Sequence, residues 1–133
     1  MIVGLGHDLT DIRRIEKTLA RFGIRFIERC FTKEEIQEAE KRKTPISRAA
    51  AYAKRFAAKE ACSKALGTGF SGGILMKEIS VQKDINGRPV LELTGHAAKR
   101  LAILTPDERR ANIHLTISDE LPIASAIVII EAI

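Results

Sequence analysis

The 133-residue sequence has no tryptophan, one tyrosine and five phenylalanines, so aromatics make up only 5% of it. Such a chain must build its core from Ile, Leu, Val and Ala, and it offers little on which nucleic-acid bases could stack. Cysteine is scarce too. Cys30 and Cys62 are the only two. They are too few and too far apart for a zinc site or a disulfide framework, and they read as reduced, buried thiols of a cytoplasmic protein. Long apolar runs are missing as well. Asp8 interrupts the early one, so no secretory leader is expected, and Leu121 to Ile130 is too short to cross a bilayer. These absences exclude a disulfide-stapled module and argue against a membrane protein.

Hydrophobic residues make up 45% and charged residues 29%, the balance of an ordinary globular protein. Residues 1–133 suit one domain around one core. A chain of this size buries roughly 65–70% of its unfolded surface. The net charge of +5 favours an anionic partner: a nucleic acid, a phosphorylated cofactor or an acidic protein.

Residues 1–6 read as a short strand ending at a glycine, followed by a helix capped by Thr10 or Asp11 and running to about Phe22. Gly23 breaks it, and a short helix covers Ile24 to Cys30. Thr32 with Glu35 makes a capping-box pattern for a third helix to about Arg42, ended by Thr44-Pro45. Ser47 caps the longest helix, alanine-rich, from Arg48 to Leu66, which closes at Gly67. A glycine-rich loop spans Gly67 to Gly73. Ile79 and Val81 alternate as in a strand, Asn86-Gly87 signals a hairpin, and Val90 to Leu93 returns. A short helix at Ala97 to Leu104 precedes strands around Ile113 to Ile117 and at Ile123 to Ile130. The expected fold is α+β, a mainly antiparallel sheet packed against helices.

Phe56, Glu60, Ser63, Lys64 and Gly67 fall on one stripe of the long helix. Glu60 and Lys64 are then either an ordinary i,i+4 ion pair or part of a site. The Gly67-Thr68-Gly69 loop that follows is either a helix stop or a place where backbone approaches an anion. Asp8 suits both an N-cap and a metal ligand at a strand end. His7 should point away from Asp8 by strand alternation and is not assigned. His114 shares the polar face of a strand with Thr116 and Ser118. Arg14, Lys17 and Arg21 line one helical face opposite Ile12, Ile15 and Leu19, and Arg25 and Arg29 continue the charge. This stripe is either a solvated face or a dock for an acidic partner.

Two motifs, Gly4-Leu-Gly-His-Asp-Leu-Thr-Asp-Ile-Arg-Arg-Ile15 and Arg55-Phe-Ala-Ala-Lys-Glu-Ala-Cys-Ser-Lys-Ala-Leu-Gly-Thr-Gly69, resemble the bacterial holo-[acyl-carrier-protein] synthases, a class of 4'-phosphopantetheinyl transferase. Asn86-Gly-Arg-Pro89 and His114-Leu-Thr-Ile-Ser118 add to the likeness, which covers essentially the whole chain. It implies transfer of phosphopantetheine from coenzyme A to a serine of apo acyl carrier protein, yielding 3',5'-ADP, in support of fatty acid biosynthesis. It implies Asp8 and Glu60 as magnesium (Mg2+) ligands. Arg55 and Lys64 would contact phosphates of coenzyme A, with Gly67, Thr68 and Gly69 bordering it, Asn86 and Pro89 near its adenosine end, and His114 facing it from the sheet. Glu60 is the candidate base, directly or through a water, and Lys64 the cation that steadies the leaving oxygen. The carrier protein, being acidic, would dock on Arg14, Arg21, Arg25 and Arg29. Relatives are usually homotrimers with sites at subunit junctions. A basic RNA-binding module is the competing reading, but no aromatic pair for base stacking sits on a strand, and such a module has no need of Glu60. No nucleic-acid partner and no membrane association are expected.

Overall fold

The computed structural model describes residues Met1–Ile133 throughout. The first strand, β1, runs over Ile2–Asp11. It is followed by helices α1 (Ile12–Phe22), α2 (Ile24–Cys30), α3 (Lys33–Glu40) and α4 (Pro45–Ala65), then a single 3-10 turn at Met76–Glu78. Strands β2 (Ile79–Lys83) and β3 (Pro89–Leu93), helix α5 (Gly95–Leu104), and strands β4 (Ala111–Glu120) and β5 (Ile123–Ala132) complete the chain. The expected α+β class holds, and every strand pair is antiparallel. The strands divide into two sheets, however: a three-stranded one ordered β1-β5-β4, and the β2-β3 hairpin. No helix is long and apolar enough to cross a membrane.

Two boundaries differ from the sequence expectation, each for a physical reason. Gly4 and Gly6 do not end β1. A Cβ on Gly4 would collide with the Ala65 carbonyl and one on Gly6 with the Ala61 carbonyl, so these glycines let α4 lie directly on the strand. Thr44-Pro45 does not merely close α3. Pro45 occupies the first turn of α4, where its missing N–H is harmless, and the Thr44 hydroxyl accepts from the Ser47 amide at 3.1 Å. Thr44, not Ser47, is therefore the cap. Asp11 caps α1 by accepting the Arg13 amide at 2.9 Å, as one of the two candidates should.

α4 is central to the fold. Its small residues Ala57, Ala58, Ala61, Cys62 and Ala65 meet Ala126, Val128 and Ile130 of β5. Toward its N-terminal half, Ala49, Tyr52 and Ala53 pack with Ile12, Ile15, Leu19, Ile27 and Phe31. An alanine-rich face permits close approach of helix to sheet, which compensates for the lack of large aromatics. The opposite face of the three-stranded sheet has no covering element. On it, Leu5 is 65%, Leu9 61% and Ile127 39% exposed.

Candidate functional site

The five basic residues of α4 do not form one solvated face. Arg48 pairs with Glu40, Lys54 with Asp119, Lys59 with buried Glu35, and Lys64 with Asp8, while Arg55 is buried without an acid at ion-pair distance. Lys64 does not pair with Glu60, so the i,i+4 alternative falls. Its ammonium reaches instead from α4 to β1, donating to the His7 carbonyl at 2.8 Å and to Asp8 Oδ1 at 3.2 Å.

Asp8 lies inside β1 and not at its end, so it caps no helix. Its position alternates onto the α4 side of the sheet with Gly4, Gly6 and Thr10. Buried Thr10 donates its hydroxyl to Asp8 Oδ2 at 2.7 Å. Sequence pattern offers Thr10 only as a helix cap; its i,i+2 relation to Asp8 on one face follows from the extension of β1 to Asp11. His7 alternates to the other face, as expected, and its Nε2 lies 3.2 Å from the Ser125 hydroxyl.

Glu60, half-buried on α4, feels the Asp8 charge. Burial first, and then Asp8, push its pKa up, while Lys64 and Arg14 pull it down. Two carboxylates thus converge between β1 and α4 with one lysine beside them. No cluster of three or more His, Cys, Asp or Glu side chains adds further metal ligands. An ion held here would have to complete its shell with water or ligand oxygens. Arg14, expected only in the docking stripe, is electrostatically part of this site.

The Gly67-Thr68-Gly69 loop leaves the same end of α4. Gly67 (φ 81°) and Gly69 (φ 60°) adopt left-handed conformations that favour glycine, and a Cβ at Gly69 would meet open space. The loop is therefore accessible to a ligand.

Arg55 stands nine residues before Lys64, two and a half helical turns, and so on the opposite side of α4. It borders a cleft of about 520 Å³ on the β4 side of the molecule, with Arg42, Lys54, Lys83 and Pro89 among the lining residues. Its Nη1 donates to the Ala51 carbonyl at 2.9 Å, and its Nε is buried with no partner. Glu34, Glu38 and Asp119 line the cleft as well, and Lys54 and Lys83 pair with Asp119 and Glu38, which leaves Arg42 and Arg55 as its cations without a carboxylate at ion-pair distance. Pro89 begins β3, and Asn86 sits exposed at the hairpin tip, where its amide donates to Asp84. His114 lies on the uncovered face of the sheet, Nε2 3.1 Å from Glu131 Oε1. Its register partner Ile129 pairs with Leu5, whereas Asp8 pairs with Ala126, so His114 and Asp8 occupy opposite faces.

One chain therefore unites Asp8, Glu60, Lys64 and the 67–69 loop at its β1 edge. It keeps Arg55, Pro89 and Asn86 at the other side and His114 on the reverse face. Arg14, Arg21, Arg25 and Arg29 are all exposed, close to exposed Phe22 and Ile24. The Arg21 guanidinium lies 5.0 Å from the centre of the Phe22 ring.

Residues 4–122 match the model of the 4'-phosphopantetheinyl transferase superfamily. The chain is 59% identical over 133 residues to the holo-[acyl-carrier-protein] synthase of Beijerinckia indica subsp. indica, covering 100% of this chain and 93% of that protein. It is 56% identical over 133 residues to that of Rhizobium rhizogenes, covering 100% and 97%. Among solved structures it is similar to a holo-(acyl-carrier-protein) synthase of Bacillus anthracis in complex with CoA (3',5'-ADP), with a TM-score of 0.79, 34% identity, and coverage of 100% and 99%.

Proposed function

We infer, from the premise that the chain belongs to the 4'-phosphopantetheinyl transferase superfamily, that it transfers phosphopantetheine from coenzyme A to a serine of apo acyl carrier protein. The products are holo carrier protein and 3',5'-ADP. The observation that carries the reading is the meeting of Asp8, Glu60 and Lys64 between β1 and α4.

The serine hydroxyl oxygen forms a bond to the phosphorus that bears pantetheine, and the bond from that phosphorus to the bridging oxygen of 3',5'-ADP breaks. Glu60 takes the hydroxyl proton, directly or through a water. Lys64 steadies the leaving oxygen. An ammonium has three donors, and two of them engage His7 and Asp8, which leaves one for a phosphate oxygen. Thr10 holds the Asp8 carboxylate in place.

Asp8 and Glu60 would hold magnesium. The donor set fits, because Mg2+ takes one or two carboxylates and completes its shell with water and substrate phosphates. When bound, the ion would neutralise charge that develops on the diphosphate.

Arg55, Asn86, Pro89 and His114 belong to the coenzyme A site of a neighbouring subunit in this reading. Support comes from their separation within one chain and from the uncovered apolar face around Leu5, Leu9 and Ile127, which a cyclic homotrimer would bury. The carrier protein docks on Arg14, Arg21, Arg25 and Arg29, with Phe22 and Ile24 as apolar contacts. A cytoplasmic setting belongs to the same proposal, supported by the two unpaired, buried cysteines.

Intact-mass analysis of apo carrier protein, incubated with coenzyme A and magnesium, tests the whole. One phosphopantetheine per carrier is expected, and EDTA should abolish it. Addition undiminished in EDTA would overturn the metal assignment, and no addition at all would overturn the transfer.

A further inference from the structure

The loop Gly67-Thr68-Gly69 starts at a helix C-terminus, an unfavourable place for a phosphate. The last carbonyls of a helix lack intrahelical donors and carry partial negative charge. The Leu66 carbonyl is one of these groups, and it accepts a 2.9 Å hydrogen bond from Nε of Arg100 on α5. The guanidinium lies close over the loop: a Cβ on Gly67 would stand 3.4 Å from Nη2. Arg13, Arg48 and Arg88 each face a carboxylate, but Arg100 has none at ion-pair distance. Its Nη groups donate to no protein acceptor, since the Leu66 contact uses Nε alone. A half-buried cation with a free donor edge therefore faces the open loop that follows Lys64 by one turn.

Building on the transferase reading above, we propose that Arg100 is a phosphate-binding residue of the site. Its Nε holds the Leu66 carbonyl, which fixes the plane of the guanidinium and offsets the negative end of α4. Its Nη edge donates to a phosphate oxygen of coenzyme A held at Gly67–Gly69. A planar fork can do both at once with its donor directions fixed in one plane. Nothing in the sequence pattern singles Arg100 out, because only the packing of α5 brings it to the end of α4.

Calorimetric titration of coenzyme A with Mg2+ into the native protein, Arg100→Gln and Arg100→Lys, at two salt concentrations, tests this. Arg100→Gln is expected to bind about tenfold more weakly, with a shallower dependence on salt, because one charged contact is gone. Arg100→Lys keeps the charge, so it should retain the native salt dependence and bind more tightly than Arg100→Gln. Equal affinity of Arg100→Gln and native protein overturns the inference. So does a loss that leaves the salt dependence unchanged in Arg100→Gln, which marks a purely structural bond to Leu66. Should Arg100→Gln not fold, Arg100→Lys decides by its salt dependence: a slope clearly shallower than native overturns the charge contact. Failure of the native protein to bind coenzyme A at all overturns the transferase reading itself, and this inference with it.

Discussion

Glu35 and Lys59 form an ion pair 2.7 Å long with both side chains wholly shielded from solvent. The Lys59 ammonium also donates to the Met76 carbonyl at 3.0 Å and the Ile79 carbonyl at 2.5 Å. The Glu35 carboxylate accepts the amides of Thr32 and Val81, each at 2.8 Å. The pair thus ties α3 and α4 to β2. Lys64, five residues further along the same helix, is half exposed and faces Asp8. Two lysines of one motif therefore have separate settings, Lys59 sealed in the core and Lys64 at the surface beside Asp8, where the proposed reaction needs it.

Lys59→Met leaves Glu35 buried without its cation, and removing one partner of such a pair costs about 3–5 kcal/mol. Lys64→Met breaks only an exposed contact, worth about 1 kcal/mol or less. Chemical denaturation should show a large drop in the midpoint for Lys59→Met and a small change for Lys64→Met. Turnover at saturating coenzyme A should fall sharply in Lys64→Met. Native stability in the Lys59 variant would refute the structural assignment.

Asp8→Ala and Glu60→Ala are each expected to lower turnover by about a hundredfold or more, because no nearby acid replaces either carboxylate. Stability should respond in the opposite sense at Glu60. Burial and the Asp8 charge raise its pKa above the ordinary value, so the folded state favours the protonated carboxyl. That contribution is complete below the unfolded pKa and is lost as pH rises through the raised folded value. Glu60→Gln escapes the loss. In metal-free buffer its melting temperature at pH 8 should equal or exceed that of the native protein, and the advantage should vanish below about pH 4. A variant markedly less stable than native protein at pH 8 contradicts this account.

Separation of Asp8 and Arg55 onto two sides of the chain makes complementation a test of shared sites. Asp8→Ala and Arg55→Ala should each be nearly inactive alone. Co-expressed at equal amounts, they should recover roughly a quarter of native activity, because random cyclic assembly brings two intact halves together at that frequency. No recovery in mixed oligomers would mean that each chain supplies its own site.

Exposed arginines act mainly by steering an acidic partner, and salt screens them over Debye lengths of about 10 Å at ~0.1 M. Arg21→Glu should raise the carrier protein's KM several-fold at low salt while coenzyme A affinity and Tm stay near native. Raising the salt should narrow the gap. Arg14→Glu should show more, lowering turnover as well, since Arg14 acts on Glu60. Unchanged carrier kinetics in Arg21→Glu at low salt would move the docking surface elsewhere.

Much of this site was legible in the residues. The α+β class, the antiparallel strands, the Asp11 cap and the alternation that turns His7 away from Asp8 all follow from local rules of period and capping. Gly4 and Gly6 are ambiguous in sequence, because a glycine that ends a strand and one that admits a helix look alike there. Their clash partners, Ala61 and Ala65, lie more than fifty residues away.

The sequence alone determined which chemistry the chain carries. It did so through the resemblance of the motifs around Asp8 and Glu60 to the phosphopantetheinyl transferases; side-chain type and helical period are local properties, and by themselves they left Glu60 and Lys64 open between an ion pair and a site. Tertiary structure decided who meets whom. It sent Lys64 to Asp8 and not to Glu60, gave Lys59 a buried partner on α3, brought Arg100 to the end of α4, and put Arg55 and His114 beyond reach of the carboxylates. These pairings depend on how elements distant in sequence pack, and the energy that selects them comes from burying the alanine faces of α4 and β5, which carry none of the chemistry.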